Sequence, residues 1–285
     1  MKLHSVEAGN FKLDGGAMFG VVPKSIWQRT NPADSNNMIQ MSCRCLLIEE
    51  SSRLILIDTG MGDKQSEKFF SYYYRWGDFS LVSSLNSLGF SCDDITDVFL
   101  THLHFDHCGG GTVWAENKKH LKPLFKNATY WSNESHWDWA CNPNAREKAS
   151  FLSENLLPLK ESGQLKFISS HKGGFEFKPE LGFDVLFVNG HTEKQMIPQI
   201  YYKGKKIVFA ADLIPTAGHL PIPYIMSYDT KPLLSMDEKS DFLKEGVENE
   251  CLLVLEHDPY NEVISLKKTE KGVRLDRSFK FHEIF

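Results

Sequence analysis

The 285 residues are 41% hydrophobic and 24% charged, proportions of an ordinary globular chain with enough length to bury a large core. A formal net charge of −5 supplies no general basic field for gripping a phosphate backbone, which disfavours nucleic acid as a substrate. No run reaches the roughly 18 apolar residues of a membrane span, and Met1-Lys2-Leu3-His4-Ser5-Val6-Glu7 does not read as a secretory signal, so a cytoplasmic protein without membrane association is expected.

In chain order, Met38 to Glu50 and Arg53 to Asp58 are β-branched, apolar runs that predict strands. Helical spacing comes next over Ser66 to Leu88; its aromatic stretch, Phe69-Phe70-Ser71-Tyr72-Tyr73-Tyr74-Arg75-Trp76, suits a homodimer surface, a lid over a site or a buried helix face. Strands are predicted at Asp97 to Thr101 and Ala128 to Trp131, then a helix over Asn144 to Lys160. Further strands fall at Phe183 to Val188, Gln199 to Lys203 and Lys206 to Ala210, followed by a helix over Ser235 to Glu248 and a strand at Cys251 to Leu255. Lys267 to Lys271 reads as a solvated hairpin edge. The order implies one α/β domain over residues 1–285, with sheets inside and helices outside. The cysteines lack CxxC spacing and are expected to be reduced, mostly in the core.

The apolar strand Val98-Phe99-Leu100-Thr101 stops at His102, and the next positions supply His104, Asp106 and His107. Imidazole nitrogen and carboxylate oxygen suit zinc and similar divalent ions, while the absence of cysteine pairs argues against a closed structural zinc site. Gly109-Gly110-Gly111 then lets the backbone turn tightly behind the loop. Four ligands do not complete two metal sites. Later apolar strands end at His191, Asp212 and His257, each within three residues of the strand, and these can supply the rest. Cys108 is expected to be a small buried residue, and His4, His120, His136, His171 and His282 to be surface or structural.

With Asp58-Thr59-Gly60 and Gly190-His191-Thr192, this ordered set resembles the metallo-β-lactamase superfamily over about residues 40–260. The resemblance implies a four-layer αβ/βα sandwich with two divalent metal ions, zinc by preference, at the sheet edge. It implies His102, His104 and His191 on one ion, Asp106, His107 and His257 on the other, and Asp212 as the bridge. Asp58 would lie beneath the loop as the acceptor that orients a ligand histidine. A metal-bridging hydroxide is the expected nucleophile, because coordination lowers the pKa of water toward about 7. Asp106 is the expected carrier of its proton to the leaving group.

The runs Asp14 to Lys24 and Ala211 to Asp229 resemble the acyl-homoserine lactonase and methyl-parathion hydrolase branch. A quorum-quenching type of lactonase acting on a small molecule with an apolar acyl group is therefore expected, with hydrolysis of phosphotriesters or aryl esters as the alternative. A nuclease would need a basic patch, and a non-catalytic binding module has little need of an open two-metal centre. Phe19, Phe105 and Tyr224 are expected to hold the acyl or aryl group. Lactonases of that branch place a tyrosine three residues beyond the bridging aspartate, where this chain has Pro215; Thr216, His219 and Tyr228 are the candidate replacements.

Overall fold

A computed structural model describes residues 1–78, 80–170 and 174–285. His171 lies outside the described residues. The chain divides into two compact units, Met1–Phe11 with Ser42–Ser170, and Lys12–Met41 with His171–Phe285. Two of the three boundaries fall inside long strands, Lys2–Asp14 and Met38–Glu50.

In the first unit, the described residues form a six-stranded sheet ordered Lys2–Asp14, Met38–Glu50, Arg53–Ile57, Asp97–Phe99, Thr129–Ser132 and Leu165–Phe167. Met38–Glu50 and Arg53–Ile57 pair antiparallel, and the next three pairings are parallel. Parallel neighbours require crossovers, here carried in part by the helices Leu81–Ser87, Glu134–Cys141 and Ser153–Glu161. Burial of Leu47, Leu56, Val98, Tyr130, Leu85 and Leu159 shows why these strands read as apolar runs rather than alternating ones. Because Ile57 pairs with Phe99, Asp58 and the loop opening at His102 leave the sheet at the same edge.

The second unit has a seven-stranded sheet ordered Gly272–Phe279, Val263–Thr269, Leu252–Val254, Lys205–Phe209, Gln195–Tyr202, Phe183–Val188 and Phe175–Lys178. Its pairings are antiparallel except between Lys205–Phe209 and Leu252–Val254, whose connection includes the helix Pro232–Glu248. Phe209 pairs with Val254, so the chain leaves both strands at one edge, toward Asp212 and His257.

Two sequence expectations change, both of them helices, while the cysteines are as expected. The helix over Ser66 to Leu88 is two short helices, Glu67–Ser71 and Leu81–Ser87, because Tyr74 and Gly77 take positive φ of 42° and 78° and Trp76 turns away to bridge Asn10. The helix over Asn144 to Lys160 is confined to Ser153–Glu161; the Asn144 side chain accepts from the N–H groups of Arg146 and Glu147, a turn that competes with helix. Cys141 is exposed and Cys92 half-buried, while Cys43, Cys45, Cys108 and Cys251 are buried, and all six are free. The strand Lys2–Asp14, which mixes polar and apolar residues, and the strands Leu165–Phe167 and Phe175–Lys178, too short to show a period, escape sequence reading. Lys267 to Lys271 does turn between the paired strands Val263–Thr269 and Gly272–Phe279. No helix among the described residues is long and apolar enough to cross a membrane.

Gly190, next to His191, packs directly on the start of the helix Pro232–Glu248: a Cβ there would sit 2.5 Å from the Ser235 backbone nitrogen. Gly190→Ala is expected to destabilise the protein by about 1–3 kcal/mol through overpacking. Urea denaturation would show a lower midpoint at unchanged slope.

Candidate functional site

Asp58 ends its strand in the left-handed region (φ 58°), which aspartate tolerates better than most residues, and it is fully buried. Its Oδ1 accepts the Thr101 N–H at 2.7 Å, and its Oδ2 accepts the Thr101 hydroxyl at 2.6 Å. Oδ2 also faces His107 Nδ1 at 3.1 Å, so His107 donates from Nδ1 and presents Nε2 as a lone pair. In the same loop, His102 Nε2 lies 3.1 Å from His104 Nδ1, and His107 Nε2 lies 4.0 Å from Asp106 Oδ1. Donor atoms converging in pairs like this, on buried side chains, need a shared cation or proton.

The loop is braced from behind. Leu103 N–H donates to His136 Nε2 at 2.8 Å, and Cys108 Sγ donates to the Leu103 carbonyl at 3.3 Å. Burial pushes the Cys108 thiol up to about 12, which keeps it a thiol and not a ligand. A Cβ on Gly110 would overlap the Thr59 carbonyl oxygen, so glycine is required where the loop doubles back. Glu147 Oε1 lies 3.4 Å from His104 Nε2, with its Oε2 held by Trp139 Nε1 and Asn144 Nδ2. Phe105 turns to aromatic neighbours, its ring 5.2 Å from Phe69 and 4.8 Å from Tyr73, while Tyr72 and Tyr74 point to solvent.

In the second unit, one carboxylate serves two imidazoles. Asp212 Oδ2 lies 3.1 Å from His191 Nε2, and Oδ1 lies 3.1 Å from His257 Nε2. Ala211, just before it, holds a strained φ of 41° that aims the side chain. His191 Nδ1 is 2.9 Å from Asp229 Oδ1, the same relation as His107 to Asp58. Burial disfavours the imidazolium, but Asp212 and Asp229 together outweigh it and raise His191 to about 10. Glu238 accepts the N–H groups of Asn189 and Gly190 at 2.8 and 2.9 Å, fixing the turn into His191. The neighbouring Lys239, 1% exposed, donates to the carbonyls of His219, Pro221 and Tyr224. Burial lowers its pKa to about 7.

The expected substrate residues separate. Phe19 is fully buried, stacked between Trp27 at 5.3 Å and His219 at 4.2 Å. Thr216 Oγ1 and His219 Nδ1 bond each other at 2.8 Å, and His219 Nε2 bonds the Met18 carbonyl at 2.8 Å. Those polar atoms fasten the segment carrying Met18, which corrects the expectation that Thr216 or His219 offers a donor to a substrate carbonyl. Tyr224 is half-buried and Tyr228 is 38% exposed. His136, Glu147, Asp229, Glu238 and Lys239 were not singled out as site residues from sequence, since nothing local marks a helix or turn residue as buried.

The donor sets in the two units are those of a metal-binding α/β protein: imidazoles and carboxylates, buried, paired and held by further carboxylates. Residues 39–257 match the family model described as the metallo-beta-lactamase superfamily, and the chain belongs to that superfamily. It is 24% identical over 201 residues to an N-acyl homoserine lactonase of Bacillus cereus, covering 67% of this chain and 66% of the relative, so it spans slightly less than two thirds of that relative's length. Among solved structures, a probable metal-dependent hydrolase from Staphylococcus aureus superposes with a TM-score of 0.86 at 28% identity, over 98% of this chain and 96% of the other. AidC, described as a dizinc quorum-quenching lactonase, shares the fold with a TM-score of 0.78 at 23% identity, over 98% and 95% of the two chains.

Replacing Asp58 or Asp229 by Asn keeps the shape but alters the partner of a histidine. Each change is expected to weaken zinc binding about 10- to 100-fold in a competitive chelator titration. The raised pKa of His191 carries a sign: without metal, its pairing stabilises the fold fully below its ordinary value of 6.5, and that contribution is lost as pH rises through about 10. A metal ion held by His191 would displace the same proton, so zinc affinity is expected to rise as pH increases from about 6 toward about 10, followed in the same titration.

Proposed function

We propose that the chain is a metal-dependent hydrolase that holds two divalent metal ions, zinc by preference, and opens lactones of the acyl-homoserine type. The observation that carries this reading is Asp212, whose two oxygens each face a different histidine, the arrangement of a bridging carboxylate. Following the family resemblance, His102, His104 and His191 would hold one ion, Asp106, His107 and His257 the other, and Asp212 both. Such ions, when bound, supply Lewis acidity toward a carbonyl oxygen and lower the pKa of water.

The chain's own residues supply orientation and proton transfer. Asp58 keeps His107 in the tautomer that offers Nε2, and Asp229 does the same for His191 once the proton on its Nε2 is displaced. Asp106, less buried than His107, takes the proton released by the nucleophile and returns it to the ring oxygen as the lactone opens. Phe105, backed by Phe69 and Tyr73, offers an apolar wall for an acyl chain. The lactone preference draws support from the similarity to the Bacillus cereus lactonase and from the run Ala211 to Asp229.

Purified zinc-loaded protein assayed against acyl-homoserine lactones, aryl esters and phosphotriesters is expected to favour the lactones in kcat/KM. Asp106→Asn is expected to lose at least about 10²-fold in kcat. Faster phosphotriester turnover would replace the lactone reading, and no metal-dependent turnover on any of the three would remove it.

A further inference from the structure

The first unit contains a cavity of about 420 Å³ behind the ligand loop, bounded by segments around Ala8–Phe11, Met61–Asp63, Arg75–Gly77, Ser80–Val82 and Gly110–Val113. None of His102, His104, Asp106 and His107 lines it. The volume falls in the range of small-molecule sites. Phe11, Met61 and Leu81 give it a buried apolar lining.

Three polar groups at this space are incompletely satisfied by the protein. The Asn10 carbonyl accepts the Trp76 N–H at 3.1 Å, while its side-chain amide bonds to no described residue and is open to solvent. The Arg75 guanidinium stacks 3.4 Å over the Phe70 ring and reaches the Gly62 carbonyl at 3.4 Å, but no carboxylate among the described residues lies within ion-pair range of it. Asp63 lines the same cavity, exposed and likewise without an ion pair among those residues. The Arg75 cation and the Asp63 anion line the same cavity and act on each other electrostatically without forming an ion pair, and the Asn10 amide is left to water, so a ligand offering partners to all three displaces only water. A plain carboxylate would be repelled by Asp63, and a plain amine by Arg75. A ligand carrying both charges on one carbon satisfies both.

We propose that this cavity binds an apolar α-amino acid as its zwitterion, with the carboxylate on Arg75 and the Asn10 amide, the ammonium on Asp63, and the side chain against Phe11, Met61 and Leu81. The site is separate from the metal-ligand loop and does not depend on the hydrolase reading. Arg75 suits the carboxylate because its planar fork donates two parallel hydrogen bonds.

Calorimetric titration of the zinc-loaded protein with L-leucine and L-phenylalanine tests this, alongside 4-methylpentanoate, which lacks the ammonium, and 3-methylbutylamine, which lacks the carboxylate. At least one amino acid is expected to bind about tenfold or more tightly than either stripped analogue. Arg75→Gln and Asp63→Asn, both at the exposed rim, are each expected to weaken amino-acid binding by about tenfold with the thermal melt unchanged. The Trp76 indole N–H resonance, on the cavity wall, should shift as the ligand is added. Amino acids also chelate metals, so binding that both substitutions leave unaltered would place the ligand on zinc and overturn the proposal. Absence of any Trp76 shift at saturating amino acid would overturn it as well.

Discussion

In each unit a buried carboxylate fixes the tautomer of a histidine, and the rest of the site depends on that pairing. Asp58 does this for His107, and Asp229 does it for His191. An ionised carboxylate taken out of water costs several kcal/mol unless hydrogen bonds replace its hydration. Asp58 recovers that cost through Thr101 as well as His107, which ties the start of the ligand loop to the end of the strand Arg53–Ile57. The imidazole is thereby oriented before any metal arrives. Preorganisation of this kind separates a metal site from a chance cluster of histidines.

The backbone is bent to serve this arrangement. Asp58 and Ala211 both take positive φ directly after apolar strands, at the two points where the chain must turn from sheet to site. Strain of this kind persists only where surrounding contacts over-determine it. In the first unit those contacts include the glycine turn under the loop, where Gly110 approaches the Thr59 carbonyl too closely for any side chain. In the second, Glu238 and Lys239 on one helix grip two different loops, one leading to His191 and the other running from His219 to Tyr224. A buried lysine can hold that position because three carbonyls accept from it.

Much of this could be read from the residues, because ligands at strand ends are a local signal. Val98 to Thr101 is apolar until His102, and Val208 to Ala211 is apolar until Asp212, so the change of character marks both the strand and the ligand at its end. Legibility ends where tertiary burial decides. Asn144 to Glu147 has helical spacing but forms a turn whose carboxylate lies beside His104. Nothing in the helical spacing of Ser235 to Glu248 distinguishes Glu238 and Lys239, and only the packed loops mark them. Thr216 and His219 looked like candidate donors because they lie close after Asp212 in the chain, yet their polar atoms are engaged with each other and with the Met18 carbonyl. Proximity in sequence gave their neighbourhood and not their role.

The two-metal assignment rests on Asp212 acting as a bridge, and metal stoichiometry tests it most directly. Elemental analysis of the purified chain after equilibration with zinc and removal of the excess is expected to find two ions per chain, and fewer in Asp212→Ala with the fold retained. A saturating stoichiometry of one ion or none in the unaltered chain would contradict the two-metal centre.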